Sequence, residues 1–310
     1  MGTPNTKGAK AFAPSHITGI FQIFDQSADN LKNGSKGAGV SLNRGVTTTV
    51  KAEKYEKNSL QIKINGSVSN SAEVSKHVVN AFLSQFKEEM EKHKIVVEHN
   101  VEMPIGAGFG TSGAAALSLA LALNKTFALG MSKTEAAKMA HIAEVECKTG
   151  LGTVIAETFG GIEIRTKPGA PGVGEIKHIP VEKDMVVVCL SFGPLSTRKF
   201  LTDEAVRKRI NEFGGKLLDR LVEEPSVANF MKFSRQFAEH VGLITDKLRS
   251  VLKAADEAGF VCSMPMFGES IFTITEKDSL PELLKIFEKH GLGGKTIVSG
   301  IDFEGARLLQ

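Results

Sequence analysis

Apolar and polar residues alternate with a period of two in the first part of the chain, and the alternation gives way to a helical period further on. Between residues 11 and 66 the segments AFAPSHITGIFQIF, GVSL, GVTTTVKAE and SLQIKI are separated by glycine and polar turns, which predicts strands. Residues 72 to 93 then read as a helix. Alternation returns in KIVVEHNVEMP, where Ile95, Val97 and Val101 face one way while Val96 and Glu98 face the other, and Pro104 closes the segment. A helix over 133 to 148 is predicted by the capping box Ser132 and Glu135 and by an apolar stripe of Ala136, Met139, Ala140, Ala143 and Cys147. DMVVVCLSFG has the continuous apolar run of a buried strand, and helical segments follow at about 202 to 220, 226 to 240 and 242 to 258. A strand pair around Gly268 and one more helix complete the chain. Strands and helices are interspersed without a repeat or a heptad array, so the expected class is α+β.

Length and charge narrow the class of partner. A chain of 310 residues with 42% hydrophobic content buries a sizeable core and suits two packed domains. A net charge of only +3 gives no field directed at nucleic acid or a membrane surface, so a small metabolite is the better partner. The opening MGTPNTKGAK is polar and no segment has the length of an uninterrupted spanning helix, so the chain reads as soluble, unexported and cytoplasmic. Cys147, Cys189 and Cys262 are widely spaced, odd in number and without a CxxC pattern, which predicts core thiols and not a disulfide framework or a zinc cluster.

The most informative stretch is PIGAGFGTSGAAALSLALALN, which leads from a strand through a glycine-rich loop into an apolar helix. Gly106, Gly108 and Gly110 permit close backbone approach, so the loop amides and the positive end of the helix can surround a phosphate. Thr111 and Ser112 open the helix, where their hydroxyls can cap it, meet phosphate oxygens or reach a magnesium ion. No Gly-Lys-Ser/Thr follows the glycines, which excludes a Walker A loop, and the position about a hundred residues into the chain argues against a dinucleotide fingerprint. A ligand-free strand-to-helix turn has the same local pattern. Spacing on the predicted helix sets His141 one turn before Glu144, where both could face a cleft, although a surface Glu144 paired with Lys148 fits the same spacing.

The order of residues in Pro-x-Gly-x-Gly-Phe-Gly-Thr-Ser-Gly-Ala resembles the second signature of the GHMP kinases. PSHITGIFQIF, GSKGAGVSL, TGLGTVIAETFGGIEIRTKPGAPG and SMPMFGESIF resemble the pantoate kinases of archaea at corresponding places, so the likeness runs in order along nearly the whole chain. The resemblance implies a two-domain GHMP kinase fold divided near residue 175, into 1 to 175 and 176 to 310, with ATP and acceptor in the cleft between them. It implies transfer of the ATP γ-phosphate to the 4-hydroxyl of pantoate in coenzyme A synthesis. By that likeness Pro104, Gly106, Ala107, Gly108, Phe109, Gly110, Thr111, Ser112 and Gly113 hold the ATP phosphates, and Ser112 with Glu144 holds magnesium. Ser35, His141, Arg165 and Thr197 match acceptor-binding positions, with Arg165 gripping the carboxylate. Read from the residues alone, Arg165 would be a surface arginine and Ser35 and Thr197 ordinary turn hydroxyls. His16, beside Ile17, reads as structural.

One position departs from the family pattern. Thr153 follows Gly150-Leu151-Gly152 at the catalytic position where the likeness implies an aspartate, and a threonine cannot accept the hydroxyl proton as a carboxylate would. The remaining routes are a base elsewhere such as Glu144 or Glu157, transfer without a strong base, or weakened catalysis; a loose phosphoryl-transfer transition state favours the second. Sibling GHMP kinases of homoserine or mevalonate type are the enzymatic alternative, and a nucleotide-binding regulator on the same fold is the non-enzymatic one. A homodimer is a reasonable expectation for a metabolic enzyme of this size.

Overall fold

The computed structural model describes residues 6–181, 184–195, 204–242 and 244–310. Among them, the strands form two sheets. β1 (Lys7–Phe24) and β2 (Gly34–Lys54) pair antiparallel along their lengths. The other edge of β2 is shared: β5 (His93–Val101) pairs with residues 46 to 54, and β6 (Ile162–Lys167) with residues 37 to 40. β3 (Ser59–Ile64) and β4 (Ser67–Val68) extend the sheet beyond β5, β7 (Glu175–His178) pairs with β6, and β11 (Arg307–Leu309) pairs with β1. The second sheet has the order β10 (Lys295–Ser299), β8 (Met185–Pro194), β9 (Gly268–Glu276).

Nine helices are described: α1 (Glu73–Gln85), α2 (Lys87–Met90), α3 (Thr111–Phe127), α4 (Lys133–Cys147), α5 (Thr153–Phe159), α6 (Glu204–Glu223), α7 (Val227–Val241), α8 (Asp246–Glu257) and α9 (Leu280–His290). They organise two cores. One joins Val46, Val50 and Val97 of the large sheet to the apolar faces of α1, α3 and α4. The other joins Ile17, Ile20, Ala38 and Val40 to β8, β9 and helices α6 to α8.

β1 and β2 therefore serve both cores, which a straight ribbon could not do. Their pairing shifts register between Pro14 and Ser15 and again between Thr18 and Ile20. At the first shift β2 carries two extra residues, Asn43 and Arg44, both exposed. Bulges of this kind bend a ribbon and raise its twist. GVSL and GVTTTVKAE, expected as separate strands, are thus one continuous β2. His16 lies in the bent stretch between the two shifts.

The helix expected over 72 to 93 is instead two. Phe86, at φ −122° and ψ 50°, leaves helical geometry between α1 and α2. The break turns Met90 into the core and frees His93 to start β5. Burial in β5 follows the expected alternation, with Ile95 and Val97 inside and Glu98 outside. Cys189 and Cys262 are core thiols as expected, whereas Cys147 at the end of α4 is only half-buried.

Candidate active site

The strand expected to run to Pro104 ends at Val101, and residues 102 to 110 form the loop that delivers the chain to α3. Gly106, Gly108 and Gly110 have φ of 75°, 87° and 63°, left-handed values that a side chain resists. The loop is clamped from both sides. Phe109 O accepts a hydrogen bond from His16 N at 3.0 Å, and Ala107 O accepts one from Ser270 Oγ at 3.1 Å. On the second sheet Gly268 lies so close that a Cβ there would stand 1.9 Å from Ala107 O. The turn around residues 264 to 268 is itself fixed by Met266 N donating to Thr18 O at 3.1 Å.

Gly110 occupies the N-cap of α3, and no side chain bonds to the first helical amides. Of the three roles open to the Thr111 and Ser112 hydroxyls, capping is therefore not the one taken. Its amino end presents free N–H groups and the positive end of the helix dipole, a chemistry suited to phosphate. Ser112 Oγ instead donates to Glu144 Oε1 on α4, at 2.5 Å.

Glu144 is 2% exposed, so the surface pairing with Lys148 is not made. Lys148 takes the left-handed C-cap of α4 at φ 56°, and the glutamate turns inward between Ser112 and Thr149, whose Oγ1 donates to the same oxygen at 2.7 Å. Burial pushes the Glu144 carboxyl above the usual glutamate range, and the two hydroxyl bonds work against that shift. The apolar stripe read from α4 missed this inward face. The capping box of Ser132 and Glu135 is present, but the buried set is Ala136, Ala137, Ala140, His141, Ala143 and Glu144, because α1, α3 and α5 all pack against the helix.

The acceptor-side residues gather at the amino end of α5. Arg165 and Glu163 alternate on β6, so they share a face, and both are fully buried. Arg165 Nη1 donates to Glu163 Oε1, and the same oxygen is 3.0 Å from His16 Nε2. Arg165 Nε is buried without a hydrogen-bond partner among the described residues. It lies 2.9 Å from where a Cβ on Gly152 would stand, and Ser35 Oγ lies 2.0 Å from the same point. Arg165, Ser35 and the first turn of α5, which Thr153 opens, thus converge. Burial depresses the Arg165 guanidinium, and the Glu163 carboxylate acts in the opposite direction.

His141 is placed differently from the other acceptor candidates. Its ring is buried, and Nε2 is 2.9 Å from Asn33 O and 3.3 Å from Asn30 O, in the turn leading to Ser35. Thr197 lies outside the described residues. Thr153 is half-buried, with its Cγ2 2.6 Å from a Cβ built on Gly110.

Two residues not assigned to the site from sequence, His16 and Glu163, stand behind Arg165, and Glu157, named from sequence only as a possible base, lies nearby. Glu157 is fully buried on α5, and neither carboxylate oxygen has a hydrogen-bond partner among the described residues. Its oxygens stand 2.8 and 2.9 Å from Cβ positions built on Gly110 and Gly113, beneath the amino end of α3. Burial first, then the nearby Glu144 and Glu163, push its carboxyl well above the usual range. The available signal for Glu163 was its alternation with Arg165 between Ile162 and Ile164, which puts two opposite charges on one face of an apolar strand. A groove of about 460 Å³ lined by Leu31, Phe86, Leu129, Met131 and Ile142, among others, shares no residue with this site.

Among the described residues no cluster of three or more His, Cys, Asp or Glu forms a metal cage. Ser112 Oγ and Glu144 nevertheless offer a hard oxygen pair beside a phosphate cradle. Magnesium usually takes one or two protein ligands and completes its shell with substrate phosphate and water, so these residues fit it.

A glycine loop feeding an uncapped helix, wedged between two sheets, is the kind of cradle a small-molecule kinase of the GHMP class uses for phosphate. The family model for the GHMP kinases N terminal domain matches residues 73–161. A pantoate kinase of Methanocaldococcus jannaschii is 35% identical over 280 residues, covering 89% of this chain and 96% of that protein. A solved structure described as a phosphotransferase related to the CoA biosynthesis pathway superposes with a TM-score of 0.88 at 30% identity, covering 97% of this chain and 98% of that one. The complex of MDDEF with MVAPP, AMPPCP and magnesium shares the fold at 14% identity and a TM-score of 0.73, covering 98% and 99% of the two chains. The chain belongs to the pantoate kinases, an ATP-using family of GHMP kinases.

Proposed function

We propose that this kinase transfers the γ-phosphoryl group of MgATP to the 4-hydroxyl of (R)-pantoate, yielding 4-phosphopantoate and ADP for coenzyme A synthesis in the cytoplasm. The observation that carries the reading is the meeting of an uncapped phosphate loop, a Ser112–Glu144 oxygen pair and a buried Arg165 with an unpartnered Nε at one place in the fold. The loop amides of residues 106 to 112 hold the triphosphate. Ser112 and Glu144 hold magnesium, which when bound neutralises charge on the β and γ phosphates. Pantoate supplies the acceptor oxygen that Arg165 Nε lacks among the described residues. Its carboxylate lies on Arg165 and Ser35, and its 4-hydroxyl points toward Thr153 and the loop. Thr197 is assigned to the same acceptor site by its position in the sequence. His141 supports that end by holding the carbonyls of the turn before Ser35. The division near residue 175 separates the part carrying the loop from the part carrying β8 to β10, although β7 and β11 belong to the first sheet.

In the transfer itself, the acceptor oxygen bonds to the γ-phosphorus as the bridging P–O bond to ADP breaks, and the hydroxyl proton leaves to the phosphoryl product or to water. Thr153 orients that hydroxyl without taking its proton. A loose transition state demands little nucleophilic activation, so placement and charge neutralisation carry the rate.

The test is ADP release with MgATP and a panel of (R)-pantoate, homoserine, mevalonate and glycerate. Stimulation by pantoate alone supports the reading. Stimulation by homoserine or mevalonate in its place moves the chain to a sibling specificity, and ATP binding without turnover on any acceptor makes it a regulator.

A further inference from the structure

We propose that Glu163 and His16 are positioning residues for acceptor recognition, holding the Arg165 guanidinium by Nη1 so that its Nε is presented, together with Ser35 Oγ, to the acid group of the acceptor. This inference rests on the reading of Arg165 as the carboxylate ligand.

A guanidinium grips a carboxylate through two parallel N–H groups, and only one of its edges can face the ligand. Here Nη1 is occupied by Glu163 Oε1, while Nε is buried without a hydrogen-bond partner among the described residues. Nε is the atom that lies beside Ser35 and Gly152. The held side is itself held: Glu163 Oε1 also meets His16 Nε2 at 3.0 Å, and His16 Nδ1 is 3.3 Å from Thr18 Oγ1. With the Thr18 hydroxyl donating to Nδ1, Nε2 carries the proton and donates to Glu163.

The neighbouring strand is cut away to admit this layer of charge. Gly37 and Gly39 of β2 stand opposite Arg165 and Glu163 in register. A Cβ on Gly37 would be 2.2 Å from Arg165 Nη2, and one on Gly39 would be 2.3 Å from the His16 ring. His16 also joins the two ends of the site, because its backbone N–H donates to Phe109 O in the phosphate loop while its ring holds Glu163. The distance between the γ-phosphate and the acceptor hydroxyl is thus set partly through one residue. In-line transfer is sensitive to that distance.

The experiment is steady-state kinetics of the full chain with (R)-pantoate and with its neutral amide, for wild type, Glu163→Gln, His16→Asn and Arg165→Gln, with each variant's fold checked by thermal melting. A purely structural role would lower activity on acid and amide alike. The positioning role predicts that Glu163→Gln raises KM for pantoate by about tenfold or more and reduces the acid-over-amide preference by a similar factor, with KM for MgATP changed by less than about threefold. His16→Asn should move the same preference by about three- to tenfold with kcat changed less, because the backbone N–H that links residue 16 to the loop is retained. Glu163→Gln leaves a buried guanidinium without its anion, so His16→Asn keeps the test intact if that variant does not fold. Folded Glu163 or His16 variants with wild-type acid preference, alongside an Arg165→Gln variant that loses it, overturn the positioning role and leave the acceptor reading standing. An unchanged preference in Arg165→Gln overturns both.

Discussion

At the end of the site proposed to hold phosphate, the groups available to an anion are main-chain amides of a continuous segment, residues 106 to 112, fixed by hydrogen bonds to their own carbonyls from His16 and Ser270. At the acceptor end they are side chains from three separate elements, Ser35 on β2, Arg165 on β6 and the first turn of α5, backed by a buried layer of Glu163 and His16. The first end carries no fixed full charge of its own and relies on helix polarity and an arriving cation. The second carries a permanent guanidinium whose orientation depends on a counter-anion. Backbone sites tolerate changes of neighbouring side chains but not of conformation, whereas an ion-paired site is sensitive to each partner. Between the two ends lies Glu157: no hydrogen bond from the described residues reaches its carboxyl, and it stands between the positive end of α3 and two other carboxylates.

The largest expected effect is at the phosphate end. Glu144→Gln or Ser112→Ala should lower kcat with MgATP by about 10²–10³, the scale of losing one preorganised charge-stabilising group, and chelation of magnesium should abolish turnover of the wild type. A Ser112→Ala variant within about twofold of wild type would break the assignment. Next is Arg165→Ala, which should raise KM for pantoate by about 10–100-fold while affecting KM for MgATP far less, as measured by initial rates. Equal effects on both constants would mean that the two ends are not separable.

Glu157→Gln probes the layer between them, and removal of the unpartnered buried acid should stabilise the ligand-free protein by about 1–3 kcal/mol at neutral pH, read by denaturant unfolding. The sign with pH follows from linkage. Glu144 and Glu157 have raised values in the folded state, so the folded protein retains protons that the unfolded chain has released. Stability without ligand should therefore fall as pH rises from the usual glutamate range through the raised values, and Glu157→Gln should flatten that slope. A slope of opposite sign would contradict the protonated form. The smallest expected effect is that of Thr153→Asp, less than about tenfold in kcat/KM for pantoate, because transfer through a loose transition state gains little from a stronger base. Activity appearing only in Thr153→Asp would make the native chain a crippled kinase.

The same contrast governs what could be read from the chain. The glycine loop was legible because its chemistry is local: one continuous segment supplies the turn, the amides and the helix that follows. The capping box of α4 and the alternation in β5 were legible for the same reason. Errors arose where distant contacts override local pattern. The break at Phe86 depends on Met90 reaching the core, and the joining of two predicted strands into β2 depends on a bulge that serves two cores. In α4, the stripe of small apolar residues was visible, but packing on several sides was not, so spacing alone favoured a surface Glu144 and only the family resemblance turned it inward.

By itself the sequence determined the α+β class, the phosphate-binding segment and, through its order of motifs, the family, because each is written in runs of neighbouring residues. Only the tertiary structure decided that Glu144 turns to Ser112, that His141 holds a backbone turn, that Glu157 is buried without a partner, and that His16 and Glu163 stand behind Arg165. Residues 147 positions apart, as His16 and Glu163 are, can share a proton only after the sheet has brought their strands side by side. No local periodicity encodes that pairing, since it depends on register between β1, β2 and β6 and on the missing side chains of Gly37 and Gly39.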